Sequence, residues 1–194
     1  MRAATALRLV AALAVLTLSA CGKPPVNREA KTPLTTESSV DLERYLGRWY
    51  EIARLPNSFE KNCEGVTADY WRLEEGEIGV LNSCRKNGPS GRLVMAKGRA
   101  RVVYAATNSK LEVSFFAPFW GDYWILGLAD DYSLSLVGEP SGRYLWILSR
   151  SPTIDDATKT EALARLTALG YDVSKLYFPE QPPSPDNPPP SQAQ

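Results

Sequence analysis

Histidine is absent from the 194 residues. Without it, Ser-His-Asp and Cys-His nucleophile systems, histidine zinc sites and proximal-histidine haem ligation are closed to the chain. Most hydrolase mechanisms go with them. Beyond the first twenty residues, no stretch approaches the ~18 uninterrupted apolar residues of a spanning helix, which excludes a polytopic helical membrane protein. Positive charge is not in surplus either. Setting aside Arg2 and Arg8, 20 basic side chains face 22 acidic ones, a balance near −2, with no basic block to release counterions from nucleic acid. Nucleic-acid binding is not expected. Cysteine is scarce, three in all and never as Cys-x-x-Cys, so a redox or metal-binding pair is a poor reading and no cofactor or metal is implied.

What is present begins with a leader. Met1 to Ala20 carries two arginines, a Leu/Ala/Val run and no acidic residue, the pattern of a signal peptide. Its end, Leu18-Ser19-Ala20-Cys21, resembles the lipobox of bacterial lipoproteins. That resemblance implies lipid on Cys21 and a membrane anchor. Three acyl chains hold a protein on a membrane far better than one, at about 0.8 kcal/mol per buried CH₂. The alternative is a secreted protein whose first mature cysteine is accidental. Residue Gly22 is not the Asp that retains lipoproteins at the inner membrane of enteric bacteria, which favours the outer membrane, facing the periplasm.

Residues 21–39 are polar, with three prolines and no apolar period, and read as a flexible tether. Residues 179–194 hold seven prolines and read as an extended, disordered tail. Between them, over 40–178, short β-type runs alternate with turn residues: 48–55, 65–73, 78–85, 93–104, 111–116, 123–129, 133–137 and 143–149. Eight strands joined by short turns predict an all-β, antiparallel up-and-down barrel enclosing one small ligand, with a β-sandwich as the alternative. A helix follows, capped at Thr153, with a stripe of Ile154, Thr158, Ala162, Leu166 and Leu169 to pack outside the sheet and Gly170 as its stop. Leu176-Tyr177-Phe178 reads as a short ninth strand.

The run Tyr45-Leu46-Gly47-Arg48-Trp49-Tyr50-Glu51, followed by Phe59-Glu60-Lys61, resembles the Gly-x-Trp signature of lipocalins, in their bacterial and apolipoprotein D branch. Two further regions match in order. Val113 to Tyr123 resembles the second conserved region, with Gly121 where that pattern has threonine, and Tyr144 to Pro152 resembles the third. The resemblance covers about residues 40 to 178. It implies that Gly47, Trp49 and Arg150 close the barrel base, the guanidinium stacking on the indole, which is a structural role.

Alternation then sets faces. With Trp49 and Arg150 inward, so are Glu51, Ala53 and Leu55 on one strand and Tyr144, Trp146 and Leu148 on another. Glu51 needs a partner such as an inward Arg or Tyr, or a proton, because a bare buried carboxylate costs several kcal/mol. Trp120 is placed near the mouth, either lining it or capping a strand. Cys63 and Cys84 remain for a disulfide once Cys21 carries lipid, closing a loop worth about 3 kcal/mol. Simple pairing sets Cys84 opposite Thr67, so the chain has to bend back to bring Cys63 near.

Trp146, Tyr144, Trp120 and Glu51 are the candidate ligand residues, of a composition that suits an apolar pocket. The resemblance implies fatty acids or lysophospholipids, held for envelope lipid maintenance. Two other functions compete. One is an enzyme using Glu51, the sole candidate among the inward residues assigned; the other is an envelope assembly protein with a filled barrel and a partner-recruiting tail. A homodimer is left open.

Overall fold

The computed structural model describes residues 26–29 and 31–182. The leader, Cys21 and most of the Pro-rich tail lie outside the described residues. A short helix, α1 (Leu42–Tyr45), leads into β1 (Gly47–Arg54), β2 (Cys63–Arg72), β3 (Ile78–Lys86), β4 (Arg92–Val102), β5 (Lys110–Phe116), β6 (Phe119–Leu128), β7 (Leu134–Gly138) and β8 (Leu145–Ser149), and α2 (Asp156–Ala168) follows. Every neighbouring pair is antiparallel, and β8 pairs back onto β1. That closure decides for the barrel over the sandwich.

The barrel has two unlike ends. At the base, where β1 begins, Gly47 adopts the left-handed φ of +91° that an L side chain resists. The chain thereby swings from α1 into β1. At the mouth, where β1 ends, lie the β1–β2, β3–β4, β5–β6 and β7–β8 connections. Two apolar clusters divide the strand faces. Inside are Trp49, Tyr70, Ile78, Val80, Ala100, Leu111, Ile125, Val137 and Leu148; outside, under α2, are Ala53, Leu55, Leu126, Leu136, Leu145, Ile147, Ala162 and Leu166.

Ala53 and Leu55 therefore face outward, contrary to strict alternation from Trp49. A bulge explains it: Glu51 pairs with Leu148 and Ala53 with Ile147, so Ile52 has no partner and the faces exchange after it. The same device in β2 resolves the disulfide. Gly65 and Val66 together oppose Cys84, and Gly65 takes a φ of +56°. Cys63 is carried to a diagonal position, 5.4 Å from Cys84 between Cα atoms, and the two are disulfide-bonded.

Other boundaries also differ from expectation. Strand β6 begins at Phe119 rather than 123, because Phe119 pairs with Phe116 across a two-residue turn. Asp155, not Thr153, caps α2, its carboxylate accepting from the Thr158 N–H at 2.7 Å. Ala162 and Leu166 are fully buried at the centre of the expected stripe. The ninth strand is a single bridge, Tyr177 to Arg54.

The stretch read as a tether is held to the barrel from Val26 onward. Its N–H groups reach Ser141 O at 2.7 Å from Val26, Gly170 O at 2.9 Å from Glu29, Ile125 O at 2.9 Å from Glu37 and Thr107 O at 2.8 Å from Val40. Polar, Pro-containing sequence lacks an apolar period but still orders through its main chain. Residues 179–182 are likewise bound: Gly65 N donates to Glu180 O at 2.7 Å, and Gln181 Nε2 to the carbonyls of Glu51 and Val66.

Candidate ligand-binding site

The base is sealed. The Arg150 guanidinium lies 3.8 Å from the centre of the buried Trp49 ring. Arg150 also donates to the carbonyls of Arg48 at 2.8 Å, Arg44 at 2.7 Å and Tyr45 at 3.1 Å, and Trp49 Nε1 donates to Tyr45 O at 2.9 Å. One cation thus satisfies the loose carbonyls at the end of α1 and stacks on the indole beneath it. None of these donors faces a ligand. Gly47 packs against the same arginine, where a Cβ would lie 3.5 Å from Arg150 Nη1.

Above this plug sits a hydroxyl chain. Tyr45 shares hydrogen bonds with Tyr123 at 2.8 Å and Ser135 at 3.0 Å, and Tyr70 donates to Tyr123 at 3.1 Å. Burial pushes the pKa values of all three tyrosines up, so they stay neutral and serve as packing with satisfied ends. They leave about 10 Å³ of space among Tyr45, Tyr70, Ile78, Ala100, Leu111 and Tyr123, the room of about one water. The lower barrel is filled by its own side chains.

The upper half is built differently. Phe59, Tyr144 and Trp146 form one aromatic wall: Tyr144 and Trp146 stack with centroids 5.9 Å apart, and Phe59 lies 5.5 Å from Tyr144 and 6.5 Å from Trp146. Trp146 packs against the inner cluster, as expected. Across the lumen the wall is small. Ala96 and Gly98 are in step with the inward Ala100, and Gly121 pairs with the inward Val113, Ala96 and Gly121 being open to solvent. The Phe115 ring covers Gly98, lying 2.8 Å from where a Cβ would stand, so Ala96 and Gly121 are the small inward positions left open at the mouth. Asn82, in step with the inward Val80, keeps a buried Oδ1 with no hydrogen-bond partner among the described residues.

Glu51 is inward, with the partner that its burial requires. Arg54, turned inward by the Ile52 bulge, donates from Nη1 to Glu51 Oε1 at 2.5 Å and from Nη2 to the carbonyls of Glu60 at 3.0 Å and Cys63 at 3.1 Å. Arg54 Nε lies 3.9 Å from the Glu60 carboxylate, which also accepts from Trp146 Nε1 at 3.2 Å. Burial raises the Glu51 pKa well above the ordinary carboxylate range, and the nearby Glu60 adds to this while Arg54 opposes it. With its acceptor committed to Arg54, Glu51 orients the mouth wall through a salt bridge; it is not displayed as a ligand group.

Trp120 is not in the site. It lies on the outer face, in step with Asp122 and Trp124, with the guanidinium carbons of Arg99 and Arg101 at 5.3 and 4.1 Å from its ring centre. Starting β6 four residues earlier puts it on a strand, where alternation turns it outward. Phe59, Arg54 and Glu60 belong to the mouth wall but were not assigned roles from sequence. Their signal was the Phe59-Glu60-Lys61 motif and an arginine within reach of Glu51.

An eight-stranded antiparallel barrel, plugged at one end by a Trp–Arg stack and lined by aromatic side chains at the other, has the architecture of a calyx, the kind of barrel that can hold one small molecule. Residues 40–181 match the family model of the lipocalin-like domain, and the chain belongs to that family. It is 42% identical over 174 residues to the outer membrane lipoprotein Blc of Escherichia coli K12, covering 90% of this chain and 96% of that protein. Mouse apolipoprotein D is 36% identical, with 87% of this chain and 86% of that protein covered. Among solved structures, insecticyanin from the tobacco hornworm Manduca sexta superposes with a TM-score of 0.63 at 23% identity, over 81% of this chain and 87% of that one.

Proposed function

We propose that this chain is a lipid-anchored outer-membrane lipocalin that carries a single long-chain acyl lipid, a fatty acid or lysophospholipid, in the upper half of its barrel. The observation that carries the reading is the Phe59–Tyr144–Trp146 aromatic wall at the mouth of a barrel whose inward Ala96 and Gly121 are small and open to solvent, over a sealed base. A mouth lined in that way suits an extended apolar chain. The likeness to a protein named an outer membrane lipoprotein, together with Leu18-Ser19-Ala20-Cys21, supports an anchor on Cys21 and a place in the envelope. Catalysis is the weaker reading, because Glu51 is engaged by Arg54 and Cys63 is tied to Cys84.

The test is titration of delipidated protein with fatty acid and lysophospholipid of equal chain length, then with shorter chains, following tryptophan fluorescence. Saturable change with affinity rising with chain length is expected. Trp146→Ala, removing an aromatic wall of ~200 Å², should weaken binding by about 1–3 kcal/mol. No saturable change with any of these lipids would leave the filled-barrel assembly protein ahead.

A further inference from the structure

We infer that the open mouth of the barrel is the face that lies on the lipid bilayer, with the β5–β6 tip in contact with lipid; the inference rests on the anchor at Cys21. From Val26, hydrogen-bonded to Ser141 in the mouth turn between β7 and β8, the segment runs down the barrel to Val40, hydrogen-bonded to Thr107 near the base. Only the five steps from Cys21 to Val26 separate the lipidated residue from the mouth. At ~3.5 Å each they reach at most roughly 18 Å. The barrel is longer than that: a ten-residue strand tilted by ~40° rises roughly 25 Å. A lipid on Cys21 therefore holds the mouth near the membrane and leaves the base out of reach.

The mouth has the surface such a position asks for. The β5–β6 turn presents Phe116 and Phe119, 80% and 76% exposed, around Ala117-Pro118, and Phe59 is 56% exposed in the β1–β2 loop. The Phe116 and Phe119 rings stand largely uncovered, and Phe59 packs on Tyr144 and Trp146 with more than half its surface still open, at the one end of the barrel the anchor can bring to lipid. Exposed Lys61, Arg92 and Arg143 stand in the same set of loops, suited to anionic head groups. The base end carries charge of both signs, exposed Asp41, Asp130 and Asp131 beside exposed Arg44 and an Arg72–Glu43 pair. The open mouth would then face the leaflet that supplies its ligand.

The experiment uses the mature lipidated protein in vesicles of phosphatidylethanolamine and phosphatidylglycerol. The photoreactive p-benzoylphenylalanine replaces Phe119 in one variant and Tyr104, exposed in the β4–β5 connection at the base, in another. Both variants should melt within a few degrees of the native protein. Flotation with the vesicles reads the anchor, and lipid adducts after illumination read the orientation. At least tenfold more adduct at position 119 than at 104 is expected. Equal adducts, more at 104, or none at either position in a protein that floats, overturns the orientation while leaving the anchor intact. A protein that does not float overturns the anchor, and the orientation with it.

Discussion

Replacing Arg54 by methionine tests whether the mouth wall is held by its buried charges. The side chains of Arg54, Glu51 and Glu60 are 4%, 3% and 10% exposed, two carboxylates against one guanidinium. Removing the cation while keeping length and apolar stem leaves Glu51 buried and unpaired, and frees the carbonyls of Glu60 and Cys63. Breaking a buried pair in this way costs about 3–5 kcal/mol. For a domain of this size that lowers the Tm by roughly 6–20 °C. The pH dependence has a defined sign. Glu51 already titrates above the ordinary 4.5 in the fold, so its ionised form destabilises, and that cost is absent at low pH and appears as pH rises through the folded pKa. Losing Arg54 raises that pKa further. The deficit of Arg54→Met should therefore be larger at pH 7.5 than at pH 5, measured by urea unfolding at both. A deficit below about 1 kcal/mol, or one equal at the two pH values, would refute the paired-charge account.

Arg150→Ala should lower stability by about 2–4 kcal/mol, combining a cation–π contact with lost charged hydrogen bonds, while acyl-lipid affinity, corrected for the folded fraction, stays as it was. If binding vanished with the Tm intact, Arg150 would have to be moved into the ligand site. Cys63→Ser with Cys84→Ser should cost about 3 kcal/mol for a bridge spanning 21 residues, and thiol alkylation of native protein should label neither cysteine.

Strand number and order were legible because half-buried antiparallel strands alternate and their turns carry Gly, Asn, Asp and Ser in pairs, whereas the choice of barrel over sandwich needed the pairing of β8 onto β1. Trp49 and Arg150 fell where the resemblance put them, and Tyr144 and Trp146 fell where alternation from Arg150 placed them. Ala53, Leu55 and Trp120 did not. A bulge such as that at Ile52 leaves no mark in composition, since the extra residue is an ordinary strand residue, yet it inverts every face beyond it. Trp120 was misplaced because Phe-Ala-Pro-Phe reads as a loop, whereas the chain turns within two residues and β6 has already begun. The strap of described residues 26–29 and 31–40 was invisible for another reason: it is held by backbone bonds and by isolated side-chain contacts, such as Glu37 accepting from Leu128 N, that form no period.

The same two bulges organise the site. Above Tyr50 and Thr67 the β1–β2 ladder stops, because both strands bulge there. Into that gap go the Arg54 side chain from one edge and the main chain of Tyr177 to Gln181 from the other. Tyr177 exchanges backbone bonds with Arg54 at 2.8 and 2.9 Å, and its ring lies 4.8 Å from the Arg54 guanidinium carbon. The mouth wall is thus assembled from a bulged strand, a buried ion pair and a segment added from the C-terminal side, whereas the base has an unbroken β1–β2 pairing from Gly47 to Tyr50 and a Trp–Arg plug. Cooperative opening draws on the least densely bonded elements first. The wall around Arg54 and the C-terminal segment is therefore expected to open locally before the Trp–Arg plug does.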